Sequence, residues 1–260
     1  MHRREWLGAG CLAGVTALAA MAEGARAAGA AKKQFLELRL YRLDAGAMRQ
    51  RFEAFLTEAA IPAWNRAGIK PVGVFSPTEP KSDDLYVLLP YDSLDTFAAA
   101  RGQLLADAAY QKAGAAAIDA PKDAPAYQRI ESALMVAFDG VPKVEVPTKK
   151  DSRVFQLRIY ESHSDLKAVK KIEMFNTGGE LAVFRLTGMH PVFFGETLVG
   201  AKLPNLTYML GFDDADAQKK GWDAFLKHPE WEKLKANPAY KDTVSAITNI
   251  VLRPAECSQI

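Results

Sequence analysis

Polar and aromatic side chains that could bind a ligand concentrate in the second half of the chain. Arg158 and Tyr160 alternate along one predicted strand, His190 and Glu196 share a face of another, and Tyr208 stands on a third. If these faces line one cavity, they bring a cation, an imidazole, a carboxylate and two phenols together, which suits a polar small molecule. A histidine at a strand end is more often a surface or structural residue, so that alternative stays open.

Two glycines interrupt a predicted helix close to this set. Gly178 and Gly179 follow Asn176 and precede Glu180, and each glycine costs a helix about 1 kcal/mol relative to alanine. A helix break could turn Asn176 and Glu180 toward a ligand. A kink that allows close packing over a sheet is the favoured interpretation, because Pro62 interrupts the matching helix of the first half.

Motifs for covalent or metal chemistry are missing from the sequence. It contains no G-x-S-x-G elbow, no phosphate-binding loop, and no two histidines at a metal-ligand spacing. Cys257 has no identifiable acid or histidine partner nearby. We therefore identify no catalytic residue and expect neither a metal site nor a cofactor.

A duplicated strand organises the elements that must position these side chains. Residues 154–160, Val-Phe-Gln-Leu-Arg-Ile-Tyr, repeat residues 35–41, Phe-Leu-Glu-Leu-Arg-Leu-Tyr, about 120 positions later. Turn residues and apolar positions after each copy match at nearly the same spacing, from Gly68 and Gly188 to Tyr110 and Trp231. Duplication of one structural unit explains this pattern better than chance does.

Each copy has the predicted element order βαββαβ, which is typical of a ferredoxin-like unit. The first unit covers residues 34–141, the second covers 153–254, and a proline-rich linker spans 142–152. We predict an α+β fold in which the two four-stranded sheets pack against each other as a pseudo-dimeric α/β barrel.

The duplicated strand has two chemically different faces. Leu36, Leu38 and Leu40 form one face of the first copy, and the second copy repeats this aliphatic face. The aliphatic face is assigned to the helices. The opposite face carries Arg39 in the first copy and Arg158 in the second, and it would point into a closed barrel. An inward Arg158 then needs an acceptor, such as Glu196, another acid or a ligand.

The N-terminal residues 1–27 are typical of a twin-arginine export signal. Arg3 and Arg4 precede a short apolar run, and Ala25-Arg26-Ala27 matches a cleavage site. We expect a periplasmic or otherwise exported protein with no stable membrane span after cleavage. The net charge of +2, without a large basic block, argues against nucleic acid as a partner.

In its two duplicated strands and the segments that follow them, the chain resembles the NIPSNAP family, within the wider group of dimeric α/β-barrel proteins. The resemblance rests on Glu-Leu-Arg-Leu-Tyr at 37–41, Gln-Leu-Arg-Ile-Tyr at 156–160, and the segments 188–195, 206–213 and 228–231. It covers residues 34–254 and is stronger in the second copy. The family implies small barrels that pair through their sheets, so a homodimer is one expectation, and it implies no shared catalytic residues.

The expected function is binding of a small molecule or a protein partner in or around the barrel. The alternative is an enzyme in the space between the sheets, of the cofactor-independent monooxygenase or haem type. Haem is considered because the chain resembles barrels of the chlorite dismutase kind, which bind haem through one axial histidine. His163 and His190 are the only plausible axial donors in this sequence.

Overall fold

The computed structural model describes residues 32–260, and the predicted export signal at 1–27 lies outside the described residues. The first half contains β1 (Phe35–Arg42), α1 (Ala47–Phe55), a π-helical turn (Leu56–Ala60), α2 (Ile61–Arg66), β2 (Gly73–Glu79), β3 (Leu85–Tyr91), α3 (Leu94–Ala106), α4 (Ala108–Ile118) and β4 (Arg129–Ala137). The second half contains β5 (Val154–Glu161), α5 (Asp165–Asn176), α6 (Glu180–Leu186), β6 (His190–Val199), β7 (Asn205–Phe212), α7 (Ala215–Leu226), α8 (Pro229–Ala236), a 3-10 turn (Pro238–Tyr240) and β8 (Ala246–Pro254).

The eight strands form one closed barrel in the order β1-β3-β2-β8-β5-β7-β6-β4, with antiparallel neighbours throughout. Each half contributes four adjacent strands, and the halves join where β2 meets β8 and where β4 meets β6. The predicted fold class is confirmed, because two tandem βαββαβ units build the barrel within a single chain.

The inside of the barrel is an apolar core to which both halves contribute. It consists of Leu36, Leu38, Phe75, Leu88, Met135, Ala137, Phe155, Leu157, Val192, Phe193, Met209, Leu252 and Ile260. The assignment of the aliphatic strand faces to the helices is therefore wrong. An eight-stranded barrel is just wide enough for side chains to fill it, so its interior takes the aliphatic faces of both halves.

The helices cover the outside of the barrel, where the polar strand faces lie. In the first half, Tyr41 of β1 packs with Phe52, Trp64 and other residues of the covering helices. In the second half, Tyr160 of β5 packs with Phe175 and its neighbours. The arginine and tyrosine side chains of β1 and β5, which the sequence places inside the barrel, therefore lie between sheet and helices.

The two ends of the barrel differ. At one end, Val144 and Val146 of the linker pack against the apolar core of the barrel, and Ile260 is part of that core. At the other end is a cavity of about 220 Å³, with hydroxyl groups from Thr197, Thr207 and other residues along its wall. Among residues 32–260, no helix is both long enough and apolar enough to span a membrane.

Candidate functional site

A cavity of about 430 Å³ lies outside the barrel in the first half, between the sheet and helices α1 to α4. We call it the first-half pocket. Its principal lining residues are Glu37, Arg39, Tyr41, Phe52, Phe55, Trp64, Arg101, Leu104, Leu105, Tyr110, Ala117, Tyr127 and Ile130. Strand β1 supplies the polar floor of this pocket, because Glu37, Arg39 and Tyr41 alternate onto one face of the strand.

Glu37 is the centre of the polar floor. Its carboxylate accepts hydrogen bonds from Arg39 Nε at 2.7 Å and Arg39 Nη2 at 2.9 Å. The Tyr91 hydroxyl and the Ser132 hydroxyl donate to it at 2.8 Å each. A carboxylate offers about four lone-pair positions, so these four bonds use its accepting capacity. Burial acts to raise the pKa of Glu37, but the bonds and charge of Arg39, with Tyr91 and Ser132, bring it below its ordinary value.

Arg39 is held in place by several contacts on the same floor. Besides its two bonds to Glu37, it donates from Nη1 to the Tyr41 hydroxyl at 3.3 Å. Its guanidinium carbon lies 5.7 Å from the centroid of the Trp64 ring, which is a cation–π distance. Burial acts to lower the pKa of Arg39, but Tyr41 and Glu37 raise it, so the side chain stays charged.

The tyrosines around the pocket are hydrogen-bond donors. Burial raises the pKa of Tyr41 and of Tyr110. Burial and the charge of Glu37 together raise the pKa of Tyr91. These phenols therefore keep their protons near neutral pH. A protonated phenol can donate to a ligand, so the polar part of the wall offers more donors than acceptors.

The equivalent space in the second half is filled by aromatic side chains. Phe194 and Tyr208 are neighbours on β6 and β7, and their rings stack with centroids 4.6 Å apart. The Tyr208 hydroxyl donates to the Tyr160 hydroxyl at 3.0 Å. Trp222 of α7 donates from Nε1 to Gln156 at 2.5 Å, and its ring covers the polar floor.

The matched first-half positions carry side chains that leave this space open. Val74 and Val87 face each other on β2 and β3, at the positions that Phe194 and Tyr208 occupy in the second half. Arg101 of α3 stands where α7 has a tryptophan. The first half therefore has two valines and an exposed arginine where the second half has three large aromatic side chains. The valines are buried in the first-half core, and the arginine lines the pocket.

Three of the six predicted ligand-binding residues come together under the helices of the second half. Arg158 lies over the rings of Tyr160 and Trp222, with its guanidinium carbon 5.2 Å and 4.6 Å from their centroids. Tyr208 bonds to Tyr160 beside it. The Arg158 Nε atom is buried without a hydrogen-bond partner. Aromatic rings therefore surround this guanidinium, and Glu196, one of the three kinds of acceptor considered for it, is not among its partners.

The other three predicted residues lie elsewhere. His190 and Glu196 are exposed on β6. Asn176 accepts a hydrogen bond from the backbone N–H of Gly140 at 3.0 Å, which ties the end of α5 to a turn. His190 and Arg158 therefore do not share the expected cavity inside the barrel. The ligand-binding role given to these six residues stays a prediction.

The glycine pair of the second half has a packing role. Gly179 has φ of 103° and begins α6, so the chain turns sharply between α5 and α6. The turn places Glu180 next to Lys171, with Nζ 2.7 Å from the carboxylate and both side chains almost fully buried. Burial raises the pKa of Glu180, while the charge of Lys171 opposes that rise. This ion pair belongs to the core of the second half.

Sequence comparison agrees with the duplicated architecture. The family model of NIPSNAP matches residues 36–139 and 155–259, one match in each half. The chain belongs to the NIPSNAP family. The resemblance drawn from the β1 and β5 signatures is therefore confirmed. No curated protein matches the chain.

Solved structures share the barrel of this NIPSNAP protein at low sequence identity. A candidate monooxygenase of Fusobacterium nucleatum has a TM-score of 0.59 at 10% identity, over 86% of this chain and 93% of its own. A candidate monooxygenase of Lactobacillus acidophilus has a TM-score of 0.58 at 10% identity, over 85% and 94%. An anthrone oxidase-like protein has a TM-score of 0.52 at 10% identity, over 87% and 93%. At such identities the likeness shows the fold alone.

The first-half pocket offers haem neither a histidine nor a cysteine as an axial ligand. Both proposed axial donors, His163 and His190, are exposed in the second half. Within residues 32–260, no three histidine, cysteine, aspartate or glutamate side chains group closely enough to hold a metal ion. The chemistry of the pocket is that of hydrogen-bond donors and aromatic rings.

The contribution of Glu37 to the stability of this protein should be lost at acid pH. Its folded pKa lies below the unfolded value, so its stabilising contribution is present above about pH 4.3 and is lost as the pH falls through the folded pKa. We expect Glu37→Gln to lower the free energy of unfolding by about 2 kcal/mol at pH 7 and by clearly less at pH 3. Urea unfolding of both proteins at the two pH values measures this difference, and an equal loss at both would contradict it.

Proposed function

We propose that this NIPSNAP-family protein binds an aromatic small molecule in the first-half pocket. The observation that carries the proposal is the contrast between its two halves. Both halves have the same strand order and the same Leu-Arg-aliphatic-Tyr signature, yet one keeps a pocket of about 430 Å³ where the other is packed with rings. The second half therefore serves as an internal comparison, because this fold packs well without the pocket.

The walls of the pocket support an aromatic ligand. Phe52, Phe55, Trp64 and Tyr110 present rings to the space, and the polar groups are confined to the floor and the rim. Small-molecule sites are mostly apolar with a few placed polar groups, and their volumes run from about 300 to 1,000 Å³. Flat rings pack well against other rings in offset or edge-to-face arrangements.

The rim of the first-half pocket gives a second reason to propose an aromatic ligand. Leu105, Tyr127 and Ile130 all line the pocket and are all exposed, so apolar surface collects at its opening. Exposed apolar surface gathered at one place is a common mark of a binding site, whereas single exposed apolar residues are ordinary. A bound ring would cover part of this surface and gain the corresponding hydrophobic stabilisation.

A cofactor-independent oxygenase is the second candidate function, and the descriptions of the two candidate monooxygenases with this fold favour it. Such an enzyme has to remove a proton from its substrate, which requires a general base. Glu37 is a poor base, because four hydrogen bonds already use its oxygens and its pKa is lowered. Binding without turnover is therefore the stronger proposal.

We also propose that binding takes place after export of the protein. Arg3 and Arg4 ahead of an apolar run, followed by Ala25-Arg26-Ala27, support this location. A twin-arginine route carries folded cargo, so the barrel and its pocket would form before translocation.

The proposal predicts that filling the pocket abolishes binding. Val87→Tyr copies the second-half residue Tyr208 into the first half and adds a ring beside Arg39 of the pocket floor, its register partner on β1. Calorimetric titration with 2-naphthoate and with the neutral 2-naphthamide should show one site in the wild-type chain. The affinity of the variant should fall by more than about tenfold for either probe, because the ring occupies the volume that the probe needs.

Two further variants make this result interpretable. Val199→Tyr adds the same side chain at an exposed position of β6 and should leave binding unchanged. Ala117→Trp fills the pocket from helix α4 and serves if the β3 variant does not fold. Wild-type protein that binds neither probe, or folded filling variants that bind as well as wild type, would contradict the proposed function.

A further inference from the structure

We infer that the ligand of the first-half pocket is an aromatic anion, such as a carboxylate or a phenolate, and that Arg101 selects it. This inference rests on the proposed function and makes its ligand class more specific. It follows from an inventory of the charges and hydrogen-bonding groups that line the pocket.

The carboxylate on the floor of the pocket has no accepting position left for a ligand. Glu37 is the one carboxylate among the lining residues, and its four hydrogen bonds come from Arg39, Tyr91 and Ser132. The remaining polar side chains of the wall are two arginines and three tyrosines. A ligand that itself donates hydrogen bonds would find only phenolic oxygens as side-chain acceptors, whereas a ligand rich in acceptors finds charged and neutral donors.

The side chains that line the pocket also carry a net positive charge. Glu37 and Arg39 form a two-point ion pair and neutralise each other. Arg101 is the third charged lining residue, and within residues 32–260 it makes no hydrogen bond or salt bridge. Its guanidinium is exposed on α3 at the edge of the pocket. One positive charge is therefore uncompensated at the opening.

Arg101 is exposed at a position where the second half has a side chain that packs over the strands. The matched position in α7 is Trp222, which closes the equivalent space and bonds to Gln156. In the first half the position carries a long cationic side chain, and the floor residue matched to Gln156 is a carboxylate with no free acceptor. A guanidinium presents a planar fork that matches a carboxylate in two-point contact, so Arg101 fits an acidic group on a ring held in the pocket.

Titration with two nearly isosteric probes tests this inference. 2-Naphthoate and 2-naphthamide have the same ring system, but only the first is charged at neutral pH. We expect the wild-type protein to bind 2-naphthoate about tenfold more tightly, and Arg101→Gln to remove that preference by weakening 2-naphthoate alone. Arg101→Lys should keep part of the preference, since it keeps the charge. Raising the salt concentration should reduce the preference in the wild type.

Lys112→Gln is the matched control, because it removes one exposed positive charge from helix α4 outside the pocket. It should leave the affinity of both probes unchanged. Equal binding of the two probes to wild type would overturn the inference and leave the proposed function standing. Equal weakening of both probes by Arg101→Gln would also overturn it, because the arginine would then act as wall rather than as a charge selector. Absence of binding by both probes would overturn the proposed function itself.

Discussion

Replacing Lys171 with methionine should lower the free energy of unfolding by about 3–5 kcal/mol, the largest effect that we expect from a single charge removal. Lys171 and Glu180 form an ion pair of 2.7 Å in which both side chains are almost fully buried. The ammonium group also lies 4.5 Å from the ring centroid of Phe175. Without it, the carboxylate of Glu180 would remain inside the second half with no opposite charge in contact.

Urea unfolding followed by circular dichroism measures this loss. Glu180 can relieve its isolation by taking up a proton, and burial already raises its pKa. The loss in Lys171→Met should therefore be greater at pH 8 than at pH 5. The double variant Lys171→Met/Glu180→Met should recover most of the stability, because an apolar pair of similar volume avoids the desolvation cost. A single-variant loss below about 1 kcal/mol at pH 8 would show that the pair is not buried as described.

Replacing Tyr208 with valine should cost about 3–5 kcal/mol, because it removes a fully buried ring and leaves a cavity. The ring stacks on Phe194, and its hydroxyl bonds to Tyr160. The substitution also gives the second half the residue found at the matched first-half position, Val87. We therefore expect the variant to open the space that the first half keeps open.

Tyr208→Phe separates the two contributions. It keeps the ring and removes the hydroxyl, so it should cost only about 1 kcal/mol. Thermal and urea unfolding of both variants give the comparison. Equal losses in the two variants would mean that the hydroxyl bond, rather than ring packing, holds this region, and the explanation of why the second half has no pocket would then fail.

The duplicated strands made the barrel predictable from the sequence, but they did not reveal which face points inward. Leu36 and Leu38 alternate with Glu37 and Arg39, and this pattern shows two different faces. In this barrel both faces are covered, one by the other half of the sheet and one by helices. Alternation marks an outer polar face when one side of a strand meets water, and that condition does not hold here. The choice between the two directions depends on how barrel width and side-chain volume match.

The location of the pocket could have been found by comparing the halves position by position. The NIPSNAP resemblance is stronger in the second half, which directed attention to Arg158 and Tyr160. Open space depends instead on small side chains, and the informative difference is Val87 against Tyr208. That signal is visible only when the matched positions are known to face the same covering helices, which the structure supplies.

For Asn176 and Glu180, the sequence predicted the helix interruption but not the surroundings of the side chains. The glycine pair between them was expected to interrupt a helix, and in the structure Gly179 turns the chain between α5 and α6. The sequence could not show that the kink buries Glu180 against Lys171, because the two residues lie on different helices whose crossing depends on tertiary packing. Charged side chains are rarely buried, so residue type alone does not predict a buried lysine–glutamate pair.

The central claim is that the two halves of one duplicated fold differ in the space beneath their helices, which is an open ligand pocket in the first half and is filled in the second. A crystal structure of the protein with 2-naphthoate tests it most directly. We predict one molecule against Trp64 and Tyr110, its carboxylate turned toward Arg101, with Tyr208 and Trp222 unmoved in the second half. A molecule bound in the second half or in the cavity at the barrel end, with the first-half pocket empty, would contradict the claim.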